Sequence, residues 1–155
     1  MQNNIKEKRS LRIALVANPG ISIPPQHYGG IERRVYSLIK YLMQRGHEVT
    51  LFASVDSNVP CRLIPLRNLF TLYCQLIKLR KDFDIIHCFG RLLYLLPLLP
   101  LKIAKVQDYA CPLNFRKISI ADRLSRSTLT FVASSASCAK GGFGIGKWVT
   151  IHNGI

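Results

Sequence analysis

The residues of this 155-residue chain best equipped for chemistry are His87, Arg91 and the pair Gly29-Gly30. His87 closes the apolar pair Ile85-Ile86, so it stands at the C-terminal end of an expected strand, where open α/β sheets bind their ligands. Arg91 follows Gly90 and has the fork geometry to hold a phosphate or hydroxyl. Gly29 and Gly30 come immediately before an amphipathic run, which suits a close backbone approach and a helix N-terminus offered to an anionic or hydroxyl-rich ligand. His27 and Tyr28 flank those glycines and are placed to line a cleft. Each has a plainer alternative: a hydrogen-bonded histidine at a strand end, a solvated arginine at a helix start, ordinary loop residues. Glu32 reads as a first-turn residue favoured by the helix dipole. A further string, Gly141 to Lys147, fits the phosphate-loop spacing, but Trp148 lacks the hydroxyl that such a loop places on magnesium. Lys147–Ile151 also reads as a strand where a helix is required, which makes this a glycine-rich loop.

Elements must hold these residues in place. Leu11, Ile13, Leu15 and Val16 form the near-continuous apolar run of a strand buried on both faces. Asn18-Pro19-Gly20 and Pro24-Pro25 mark a turn. From Ile31 the apolar residues Val35, Leu38, Ile39 and Leu42 keep to one helical face, and Gly46 is suited to end that helix, expected over about Ile31–Arg45. Val49, Leu51, Phe52 and Ala53 give the next strand, joined by a right-handed crossover. A short strand ends at Leu63-Ile64-Pro65, and a helical stripe runs through Leu69, Leu72, Tyr73, Leu76 and Ile77 to the cations Lys78, Arg80 and Lys81. Strands are expected at Ile85-Ile86, Ile103–Val106 and Leu129–Ala133, with Asp108–Lys117 an irregular loop over the site. The alternation predicts one α/β domain, Rossmann-like, with an open, mainly parallel sheet, Leu11–Ala17 in its centre and helices on both faces. Residues 1–10 form a polar basic tail, and 11–155 the domain.

The string HYGGIERRVYSLIKYLMQRGHEVTLFAS resembles the opening βαβ unit of the family 4 glycosyltransferases, retaining enzymes of two-domain GT-B architecture. DFDIIHCFGRLLYLLPLL is similar to that family's strand-loop-helix carrying an acidic residue, two β-branched residues and a histidine. The closing VTIHNGI looks like the hinge between its two domains. The resemblance implies that this chain is the acceptor-side half, with a nucleotide-sugar donor held by a second domain that bears a spaced pair of glutamates and basic phosphate-binding residues. That half would come from a separate chain or be missing through gene splitting or truncation, and alone this half is expected to be inactive. The implied acceptor is a glycan or a lipid-linked molecule. The family often has His-x-His where this chain has His87-Cys88-Phe89, so the implied catalytic role near the transferred sugar falls on His87 alone. Gly29, Gly30, Arg91 and Tyr28 are the implied substrate-binding residues. A second reading is a non-catalytic half-domain that binds a partner or a membrane.

Composition sets the remaining bounds. A chain of 155 residues is long enough to bury roughly two thirds of its unfolded surface in one core. Five cysteines without paired spacing point to a reduced, cytoplasmic setting with neither disulfide framework nor metal site, and no cofactor is indicated. The longest apolar stretch, Leu92–Leu101, is about half the roughly 20 residues of a membrane span. Interrupted by Pro97 and Pro100, it reads as core helix. The net charge of +14 fits solvated helix faces or peripheral attachment to an anionic membrane by electrostatics. No nucleic-acid-binding motif accompanies it, so no nucleic-acid partner is expected.

Overall fold

The computed structural model describes residues 9–109, 115–135 and 144–152. In chain order the strands are β1 (Arg12–Val16), β2 (Glu48–Ser54), β3 (Arg62–Leu66), β4 (Ile85–Cys88), β5 (Ala104–Tyr109), β6 (Leu129–Ala133) and β7 (Lys147–Thr150). The helices are α1 (Gly30–Gln44), α2 (Leu69–Leu79) and α3 (Phe115–Ser125), with 3-10 segments at Arg80–Asp82 and Leu92–Leu98. All seven strands join one sheet in the order β3-β2-β1-β4-β5-β6-β7, and every pairing is parallel. This is the expected single Rossmann-like domain.

Alternation along β1 divides the core in two. Ile13, Leu15 and Ala17 face α1, packing with Val35 and Ile39 from that helix. Ala14 and Val16 face the other layer, with Leu72 and Leu76 of α2, Leu95 and Leu98 of the second 3-10 segment, and Ile118 and Ala121 of α3. Burying both faces of a parallel sheet requires this two-sided apolar pattern. Right-handed crossovers place α1 on one face because the chain moves from β1 to β2, and place α2 on the opposite face because it returns from β3 to β4. Chain direction across the sheet therefore reverses between β1 and β4, and the loops after these two neighbouring strands diverge.

Local signals explain the helix boundaries. Asn68 caps α2, its side chain accepting from the Thr71 amide at 2.9 Å while the Thr71 hydroxyl accepts from the Asn68 amide at 3.2 Å. Gly46 follows α1 with a positive φ of 82°, the left-handed geometry glycine tolerates best. In the glycine turn just before β7, Gly146 has a φ of 76°, and Trp148 of that strand stacks on Phe131 at 4.9 Å. Lys147 thus opens a strand, and the phosphate-loop reading fails as expected; residues 141–143 of that motif lie outside the described residues, as do 1–8 of the basic tail and 153–155 at the expected hinge.

Two elements depart from the sequence reading. The expected loop at Asp108–Lys117 is β5 at its start and α3 from Phe115 onward. The expected core helix within Leu92–Leu101 is a 3-10 segment containing Pro97, and two of its leucines, Leu93 and Leu96, are exposed. Proline removes a backbone donor and disfavours a continuous α-helix, which accounts for the tighter, irregular turn.

Candidate functional site

The sheet order reverses between β1 and β4, and open α/β sheets take their ligands at the C-terminal edge beside such a reversal, which the loop after β1 borders here. That loop is pinned from beneath. Ile23 is fully buried, its amide donates to Ser57 Oγ at 3.0 Å, and its carbonyl accepts from the Asn58 amide at 2.8 Å. Gly29 then caps α1 without any side-chain hydrogen bond to the helix N-terminus. A Cβ on Gly29 would lie 2.7 Å from Pro25 Cβ and 2.9 Å from Glu32 Oε2, so the approach of loop to helix needs glycine there. At Gly30 no atom lies within 4 Å of the corresponding position. The N-cap glycine offers no side chain to the first turn of α1, and the space where a Gly30 side chain would stand is open, at the positive end of the helix dipole. Glu32 is buried in that first turn, consistent with its expected structural place.

His87 belongs to β4 and lies between Leu15 of β1 and Val106 of β5. This register puts it on the α1 face. Its ring stacks on Phe89, 4.1 Å between centroids, and its buried Nε2 has no hydrogen-bond partner among the described residues. Burial, and secondarily the nearby positive charge of Arg34, lower its pKa from 6.5 to about 4. The imidazole is thus neutral at pH 7 and keeps an unused ring nitrogen, a donor or an acceptor according to tautomer.

Arg34 and Asp108 complete this constellation. Arg34 Nη2 meets Asp108 Oδ1 at 2.7 Å, joining α1 to the C-terminal end of β5 across 74 residues of sequence. Short charge-assisted contacts of this kind hold a guanidinium in one orientation. Beneath it, fully buried Gln107 donates from Nε2 to the carbonyls of Gly90 at 2.8 Å and Asp108 at 3.0 Å. These bonds fix the turn after β4. A Cβ on Gly90 would lie 2.3 Å from the Tyr94 ring, so this turn too requires glycine. Cys88 is buried facing the second layer, and burial pushes its thiol up to about 12, which makes it inert packing.

The sequence-predicted residues separate into two groups. His87 lies on the face of the sheet that α1 covers, and Gly29 and Gly30 stand at the start of that helix. Tyr28 is 96% exposed, and Arg91 is exposed where the chain leaves β4 for the opposite layer, making no ion pair among the described residues. His27 is exposed, with its carbonyl accepting from Arg33 Nη2 at 3.2 Å. Sequence reasoning missed Arg34, Asp108, Phe89 and Gln107. For Asp108 the available signal was the one applied to His87, a polar residue ending an apolar strand. Among the described residues no cluster of histidine, cysteine and carboxylate groups is suited to hold a metal.

A cleft of about 540 Å³ opens at the other edge of the sheet, lined by residues including Arg12, His47, Cys61 and Phe83. It lies at the N-terminal ends of the strands, away from His87. There Arg12 Nη2 contacts Asp84 Oδ1 at 3.0 Å, and this pairing holds the Asp84 carboxyl down at about 2.

No curated protein matches the chain. Among solved structures it is similar to the crystal structure of AviGT4, a glycosyltransferase involved in avilamycin A biosynthesis, with a TM-score of 0.62 and 24% identity. That match covers 90% of this chain and 41% of the other, so the chain spans less than half the length of that glycosyltransferase. At this identity the likeness establishes the fold. The model for Glycosyltransferase Family 4 matches residues 28–113, a span that contains α1, His87 and the Arg34–Asp108 pair and exceeds half of the 155 residues. The chain therefore belongs to glycosyltransferase family 4.

Proposed function

We propose that this domain is the acceptor-binding half of a retaining glycosyltransferase that moves a sugar from a nucleotide-sugar donor to a glycan or lipid-linked acceptor. The donor's nucleotide and sugar are held by a second domain, supplied in the same protein or by a separate chain. The observation that carries this reading is the buried Nε2 of His87, unpartnered among the described residues, at the C-terminal edge of the sheet on the face that α1 covers. A neutral imidazole in that place hydrogen-bonds a hydroxyl near the transferred sugar. Bound by the first-turn amides, an anionic group gains from the helix dipole. Arg34, oriented by Asp108, supplies fixed positive charge to the same edge.

The test is transfer from nucleotide sugars to candidate acceptors, measured for this chain alone and for its assembly with a donor-binding half. No turnover is expected from the chain alone. In the assembly, His87→Ala is expected to lower kcat/KM by roughly 10²-fold or more, while thermal unfolding at pH 7 changes little. A bulky residue at Gly30 is expected to slow transfer without unfolding the domain, because the space beside it is open. Transfer by the chain alone, or unchanged kinetics in both variants, overturns the reading. An assembly that binds but never transfers favours the non-catalytic module.

A further inference from the structure

We propose that the outer face of α2, together with the adjoining 3-10 segment Leu92–Leu98, is a docking surface for an anionic lipid bilayer. This inference is independent of glycosyl transfer. It starts from apolar side chains that the core does not use. Leu72 and Leu76 of α2 are fully buried, whereas Phe70 and Ile77 are 73% and 44% exposed, and the exposed Cys74 lies between them on the same stripe. Spacings of four and three residues put Phe70, Cys74 and Ile77 on one helical face. Tyr73 then locks this helix to its neighbour, its hydroxyl donating to the Leu93 carbonyl at 2.7 Å. Leu93 and Leu96 on that neighbour are 45% and 48% exposed. The apolar residues of both elements thus form one surface.

Charge decides the occupant. Arg67, Lys78, Lys81, Arg91 and Lys102 are exposed around the apolar residues, and the sequence carries no aspartate or glutamate over residues 57–81 or 85–107. Apolar residues bordered by cations are the composition of an interfacial surface, where the greasy groups enter the headgroup and acyl boundary and the cations meet anionic headgroups. A second copy of this chain is disfavoured, because each copy carries a net charge of +14 and the faces would repel. No helix among the described residues is long and apolar enough to cross a membrane, so the contact is peripheral. To the sequence-based expectation of attachment dominated by electrostatics this proposal adds a salt-resistant component from exposed Phe70, Ile77, Leu93 and Leu96.

The experiment is co-sedimentation of the chain with vesicles of phosphatidylcholine alone or mixed with phosphatidylglycerol, at low and high salt. The chain is expected to bind the mixed vesicles at low salt and to keep a residual fraction bound at high salt. Lys78→Glu with Lys81→Glu is expected to weaken binding by roughly 30-fold or more. Phe70→Ser with Ile77→Ser is expected to weaken it by roughly tenfold and to remove the salt-resistant fraction. Lys40→Glu with Arg45→Glu makes the same charge change on α1 and its C-terminal cap, across the sheet, and is expected to leave most binding intact. Circular dichroism confirms folding of each variant. The proposal is overturned by no binding to mixed vesicles, or by an equal loss in the α1 variant, which would make total charge the only determinant. It is also overturned by self-association through Phe70 in the absence of lipid, or by RNA binding that displaces vesicles and ignores the apolar variant.

Discussion

Lys105 and His87 lie inside the same sheet, on neighbouring strands and opposite faces, and the fold treats them in opposite ways. Lys105 is 1% exposed, and its ammonium donates to the carbonyls of Leu101 and Ile103 and to Thr128 Oγ1, at 2.7, 2.8 and 2.6 Å. All three of its hydrogens are used. His87 has a buried ring nitrogen with no partner among the described residues. Leaving a buried polar atom unpaired costs about 1–3 kcal/mol. A group whose partners all come from the fold serves the fold, and the proposed role of His87 rests on one left unpaired at the C-terminal edge of the sheet.

The largest expected contrast is in stability. Lys105→Ala removes the stem from the core and strips donors from three acceptors, and is expected to cost about 3 kcal/mol in thermal or denaturant unfolding. Lys105→Met keeps the stem's volume and is expected to cost less than the alanine variant. His87→Gln, which removes no satisfied hydrogen bond at Nε2, is expected to change stability at pH 7 by less than about 1 kcal/mol. If the histidine variant proves as costly as Lys105→Ala, the two sites are alike and His87 is structural.

The pH dependence of stability separates them further. The folded-state pKa of His87, about 4 against an ordinary 6.5, lies below its unfolded value, so between these two pH values the unfolded chain binds the proton that the folded chain refuses. Stability is therefore full above pH 6.5 and falls as pH drops toward 4, by up to about 3 kcal/mol. His87→Gln is expected to flatten that slope. Lys105 acts at the other end of the scale. Burial lowers its pKa from 10.5 to about 8, so the group remains charged at pH 7, and its contribution to stability rises between pH 8 and 10.5. Urea unfolding at closely spaced pH values, for both variants and the parent chain, measures both windows.

The sheet was legible because burial on two faces writes long apolar runs into β1, β2 and β6, and because Gly46 and the period of α1 mark one crossover. His87 was legible for the same reason, as the polar residue ending an apolar strand. Arg34 was not, since on α1 it sits among Glu32, Arg33 and Ser37, and nothing local distinguishes it from a solvated neighbour. Its meaning comes from Asp108, 74 residues away, and a pairing across that distance leaves no periodic trace. The 3-10 segment failed for another reason. Leucine content predicted burial, but Pro97 broke the helical period that would have shown which leucines face outward.

The smallest expected effect probes how Arg34 bears on His87. Burial is the larger cause of the lowered histidine pKa, and the positive charge of Arg34 adds to it. Asp108, paired to Arg34 at 2.7 Å, offsets part of that charge. Arg34→Gln removes the cation and leaves the carboxylate, both of which favour the imidazolium, so the pKa of His87 is expected to rise. Asp108→Asn removes one negative charge from beside the guanidinium, so the same pKa is expected to fall. Each change is a fraction of a pH unit up to about one, because most of the shift comes from burial, which neither substitution alters. Titration of the imidazole carbon-bound proton by NMR reads both directions in the folded chain, with His87→Gln assigning the signal. Opposite shifts establish that the pair tunes a buried, unpaired histidine within one constellation. Equal or absent shifts reduce Arg34 and Asp108 to a strut between α1 and β5, leaving His87 to act alone.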